Sequence, residues 1–131
     1  MTISAVELHR LAESMGVQLQ RHTGGSPGWY DHHRRIISTR RGQSISQYKS
    51  VLAHELGHAA HRDTPTGNGH FDQRQERRAD EYAANLLINP HDFEAAAIWH
   101  HGHLPAIADE LEVTQHLLRT WNALYERQIA A

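Results

Sequence analysis

Apolar residues Ala5, Leu8, Leu11, Ala12 and Met15 recur at three- and four-residue intervals. That period predicts a first helix, with Ser4 as N-cap and Gly16 as stop. From Val17 the period falls to two, and Val-Gln-Leu-Gln-Arg-His reads as a short strand. Gly-Gly-Ser-Pro-Gly at 24–28 is a turn cluster. The segment from Trp29 to Thr39 reads as a second strand, paired with the first in an antiparallel hairpin that Gly42 closes. Helical spacing returns at Ser44, and a Gly- and Pro-rich loop follows at 64–69. Ala79, Tyr82, Ala83, Leu86 and Leu87 then form the stripe of a third helix. Asn89 and Pro90 end that helix and open the next, as N-cap and first helical residue, and it runs to Gly102. The tail reads as a short helix, a turn with Thr114 as N-cap, and a final helix. The pattern predicts an α+β fold, mostly helical, with a small antiparallel sheet, a hairpin or three strands, packed on the helices.

A chain of 131 residues suits one domain, here 1–131, with a core at 28–90 and a C-terminal helical cap at 104–131. The net charge of −2 lacks the footprint of a dedicated nucleic-acid binder, so DNA or RNA is not the expected partner. The basic stretch from His32 to Arg41 reads as a solvated strand face. The chain has no cysteine, which excludes disulfides and thiolate metal sites; any metal must sit on His, Asp or Glu. No secretion signal or membrane-length apolar run is visible, so a cytoplasmic protein without membrane contact is expected. The oligomeric state is open.

His54-Glu-Leu-Gly-His58 lies in the second helix, in the apolar run Val51, Leu52, Ala53, Leu56, Ala59 and Ala60. With 13 histidines in the chain, a shuffled sequence would show His-Glu-x-x-His about 0.09 times, too often for the motif to stand by itself. Residues four apart share a helix face, so His54 and His58 can each offer a ring nitrogen to one zinc ion. Glu55 is offset from that direction and reaches a water on the metal, as a general base. Gly57 costs about 0.8–1.0 kcal/mol relative to Ala in a helix interior, which points to a strand or a substrate backbone passing close by. A catalytic zinc takes three protein ligands and keeps an open position. Glu76, 18 residues after His58, supplies a third, and Asp80, one turn later, can accept a hydrogen bond from the far nitrogen of a ligand histidine.

These segments, His-Glu-Leu-Gly-His-Ala-Ala-His and Glu-Arg-Arg-Ala-Asp-Glu-Tyr-Ala-Ala-Asn-Leu-Leu-Ile-Asn-Pro, resemble the ImmA/IrrE family of zinc metallopeptidases, most closely over residues 28–90. The run Tyr82 to Pro90 has one residue more than the family pattern before its proline, and Asp80 stands where that family often has Asn. The resemblance implies a metallopeptidase-like fold and an intracellular, zinc-dependent endopeptidase. It implies one Zn2+ per chain on His54, His58 and Glu76, with Glu55 as the catalytic base. The implied substrate is a regulatory protein such as a helix-turn-helix transcriptional repressor, in a phage or mobile-element setting. The alternative is a non-proteolytic adaptor, or a DNA-binding module, with a structural zinc.

Other histidines are weaker candidates. His61, three residues after His58, is a possible cleft residue, as oxyanion donor or fourth ligand, although a rim position at the helix end suits it better. His70 is a second possible cleft residue. His100, His101 and His103 read as a solvated helix end, and His9, His22, His32, His33, His91 and His116 have no spacing that suggests chemistry. The tail has the cadence of a helix-turn-helix, in which Gln115, His116 and Arg119 would read DNA. Its acidic balance (Asp109, Glu110, Glu112 and Glu126 against Arg119 and Arg127) opposes phosphate binding. A cap over the peptidase core, or a docking surface, fits it better.

Overall fold

A computed structural model describes residues 2–130. Six helices and three strands follow in the order α1 (Ala5–Ser14), β1 (Gln18–His22), β2 (Gly28–Asp31), β3 (Ile36–Arg40), α2 (Ile45–Ala60), α3 (Gly69–Leu87), α4 (Pro90–Trp99), α5 (Leu104–Glu110) and α6 (Gln115–Ala130). The fold is α+β, with a small sheet and a helical majority. No helix of the described residues is long and apolar enough to cross a membrane.

Local chemistry accounts for several of the helix ends. Ser4 and Ser44 open α1 and α2 with reciprocal capping boxes to Glu7 and Gln47. Asn89 caps α4, with Pro90 in its first turn. The Thr114 hydroxyl takes the Leu117 amide at the start of α6. Gly16, at φ +72°, ends α1, and Val17 N–H bonds back to the Ala12 carbonyl, as in a Schellman cap.

The sheet differs from the expected antiparallel hairpin. Its order is β1-β3-β2, with β1 parallel to β3 and β2 antiparallel to it. The stretch from Trp29 to Thr39 is two strands rather than one. Asp31 breaks it, its carboxylate accepting the backbone amides of His33 and Arg34, and Arg35 then turns the chain at φ +53°. The resulting hairpin makes β2 the partner of one β3 edge and leaves the other edge to β1, which runs in the same direction as β3. Arg35 is also more than a solvated charge: its guanidinium donates to the carbonyls of Met15 and Ala59, joining the ends of α1 and α2.

The core joins Leu8 and Ala12 of α1, Ile37 of β3, Leu52 and Leu56 of α2, Ala83 and Leu87 of α3, and Leu118 and Trp121 of α6. α3 packs on α2 along one side and on α6 along another. That sandwich puts the polar faces of α2 and α3 together beneath β2.

Candidate metal centre

His54 and His58 occupy successive turns of α2, their rings 4.8 Å apart and nearly perpendicular. Gly57 lies between them in sequence, and a Cβ there would stand 2.9 Å from the Ala79 Cα on α3. The close neighbour is thus a helix, where the sequence suggested a strand or substrate. This contact brings Glu76, one turn before Ala79, over the two rings. Glu76 Oε2 lies 2.6 Å from His54 Nε2 and 3.3 Å from His58 Nε2. Ligand-capable atoms of His54, His58 and Glu76 all fall within 4.8 Å of one another, the one such three-residue group among the described residues.

The far nitrogens of both rings are held by carboxylates. His54 Nδ1 donates to Asp80 Oδ1 at 2.8 Å, and His58 Nδ1 donates to Asp63 Oδ2 at 3.0 Å. Asp63 belongs to the C-cap of α2. Arg62 adopts φ +54°, in the left-handed region that non-glycine residues seldom enter, and Asp63 N–H bonds back to the His58 carbonyl. This reversal tucks the Asp63 side chain under His58, where the Arg78 guanidinium of α3 meets its second oxygen. Sequence reading missed Asp63. It was findable as the one acidic residue between Glu55 and Asp72, once a carboxylate is sought for the second histidine.

The donor set tests whether a metal fits. With Nδ1 donating, a neutral imidazole presents a lone pair at Nε2. Two such lone pairs face a carboxylate oxygen, and acceptors gathered in this way call for a shared cation. A divalent metal satisfies all three at once; a proton satisfies only one pair. Without a metal, burial would lower the pKa of His54. The Asp80 hydrogen bond and the charges of Glu55, Glu76 and Asp80 outweigh burial and push it up to about 9. The pocket thus attracts positive charge, and His54, His58 and Glu76 fit a metal ion.

Glu55 is buried beside the cluster. Burial pushes its carboxyl above the usual range and Glu76 adds to this, while His54 and His58 pull it back. Two hollows meet at this point and share Gly28, Glu55 and Glu76 in their walls. One extends past Tyr30 and Asp63, the other past Val51, Asp80 and His116. Together they form a cleft over the centre, bordered by β2, an edge strand of the sheet. Gly28 allows this approach, since a Cβ there would stand 2.5 Å from Val51 Cγ1 and 3.4 Å from Glu55 Cγ.

The structure places the other candidate histidines elsewhere. His61 caps α2, with Nδ1 donating to the Gly57 carbonyl and its ring edge-on to Tyr82, and it lines neither hollow. His70 is exposed at the start of α3 beside Arg74 and also lines neither. His116, which the sequence offered only as a DNA-reading position and with no spacing that suggests chemistry, does line the cleft; its Nε2 donates to Asp80 Oδ2 at 2.8 Å. Asp80 thus holds two histidines. Burial would raise its pKa, but these two hydrogen bonds and the nearby ring charges bring it below the usual carboxylate value.

Residues 12–119 match the peptidase family described as the IrrE N-terminal-like domain. A search of curated proteins returns no significant match.

Proposed function

Because the chain belongs to the IrrE N-terminal-like domain family of peptidases, we propose that it is a zinc-dependent intracellular endopeptidase whose substrate is a regulatory protein, such as a helix-turn-helix repressor. One observation carries the reading: two histidine Nε2 atoms and a Glu76 oxygen converge at the floor of an open cleft, with the buried Glu55 beside them. His54, His58 and Glu76 would hold the metal, and Asp80 and Asp63 would fix the two ring orientations. Zinc, when bound, polarises a carbonyl and lowers the pKa of its water towards about 7.

Glu55 acts as the base. A carboxyl held above its usual pKa by burial is better matched to proton transfer near neutrality than an exposed one. It takes a proton from the attacking water and delivers it to the departing amine. Substrate would enter as an extended segment, because the cleft follows the edge of β2, and an edge strand offers backbone groups for a peptide to pair with.

The test is Glu55→Gln on protein purified without a nickel column. Zinc content should match wild type, while cleavage of the substrate, or of a peptide library, falls about 10²–10⁴-fold. Full cleavage by this variant would remove Glu55 as the base. Zinc binding without any cleavage by wild type would leave a non-proteolytic module.

A further inference from the structure

We propose that His116 is a further catalytic residue, donating a hydrogen bond to the carbonyl oxygen of the scissile peptide as it gains negative charge. This rests on the peptidase reading above. Water attack on an amide moves charge onto that oxygen, and a donor aimed at it stabilises the transition state more than the ground state.

Several independent features converge on His116. It lines the same hollow as His54, Glu55 and Glu76, with its side chain 69% exposed. Its Nε2 is committed to Asp80, and no protein atom among the described residues bonds its Nδ1. The ring is therefore oriented by one edge and open at the other. When protonated it donates from both nitrogens, one to Asp80 and one into the cleft.

The start of α6 is also tied to α2 more firmly than packing of a cap requires. Lys49 is almost wholly buried, and its ammonium reaches Glu112, 3.0 Å away, in the turn before α6. Glu112 holds φ +56°, a strained value for a residue with a side chain. Two residues on, the Thr114 N–H donates to Ser50 Oγ at 3.1 Å. These ties run from the metal-binding helix to the turn that delivers His116. The proposed base, a metal-binding histidine and His116 are thereby set from one element.

Tyr30, a second donor in the cleft wall, is already committed: its hydroxyl lies 2.8 Å from His32 Nδ1 and accepts from Arg35. Although mostly exposed, the His116 ring is held to α3 by its bond to Asp80.

The experiment uses the zinc-loaded protein with a quenched-fluorescence peptide library, then steady-state kinetics on the best peptide. His116→Ala should lower kcat about 10²–10³-fold. Zinc content and melting temperature should stay at wild type, and KM should change little. His116→Gln, which can still donate, should recover part of kcat. A merely structural His116 would instead weaken zinc binding or lower the melting temperature along with activity. Wild-type kcat in His116→Ala, or a kcat loss in Tyr30→Phe in its place, would overturn the inference and leave the peptidase reading standing. A wild-type protein that cleaves no peptide overturns both.

Discussion

Gly57 and Ala79 meet backbone to backbone: a Cβ on Gly57 would stand 2.9 Å from the Ala79 Cα and 3.0 Å from its carbonyl oxygen. His54 lies three residues before Gly57, and Glu76 three residues before Ala79. The contact therefore sets the distance across which Glu76 reaches the histidines.

Gly57→Ala tests this. Alanine improves helix propensity by about 0.8–1.0 kcal/mol, but overpacking against backbone costs about 1–3 kcal/mol. A net loss of roughly 1 kcal/mol is expected, with weaker zinc binding, read by thermal denaturation and zinc titration. If melting temperature and zinc affinity are both unchanged, this contact does not set the ligand spacing.

Metal content distinguishes the proposed three-ligand site from casual binding to a histidine-rich chain. Untagged wild type is expected to carry a single zinc per chain by elemental analysis. Glu76→Ala and His58→Ala should each lose it. The Glu76 side chain is 60% exposed, so its removal should leave the fold intact by circular dichroism. Undiminished zinc in Glu76→Ala would demand another third ligand.

The pairing of His58 with Asp63 gives a graded effect. Asp63→Asn keeps the volume but removes the charge that holds the ring, and zinc affinity should fall about 10–100-fold. Arg78→Ala, which frees one oxygen of Asp63, should weaken zinc less. An Asp63→Asn protein with wild-type affinity would reduce the bond to packing at the end of α2.

After removal of metal by a chelator, His54 should titrate near pH 9 by NMR. Burial opposes this shift, and the Asp80 hydrogen bond with the surrounding carboxylates overcomes it. Since the folded pKa exceeds the unfolded value of 6.5, the stripped protein gains stability from this group below about pH 6.5. That gain is lost as pH rises through about 9. Zinc uptake at pH 7 must then release a proton, seen calorimetrically as a binding heat that varies with buffer ionisation. A His54 that titrates near its ordinary value would contradict this.

Much of the molecule is legible in the sequence because it depends on neighbours a few residues away. The caps at Ser4, Ser44, Asn89 and Thr114, the stop at Gly16 and the stripe of α3 all follow from short-range hydrogen bonds and the helical period. So does the shared face of His54 and His58, and that of Glu76 and Asp80, since an interval of four residues is one turn. Other relationships depend on which elements meet. The period-two pattern of β1 carries no information on its partner, and the turn at 32–35 leaves it parallel to β3. Gly57 could be read as marking a close approach, but only packing shows that α3 is what approaches. Asp63 reaches His58 through a chain reversal at Arg62. His116, 36 residues from Asp80 along the chain, reaches it because α6 folds back over α3. Sequence spacing determines which side chains share a helix face; only tertiary packing decides which faces meet, because that energy comes from contacts between residues far apart in the chain.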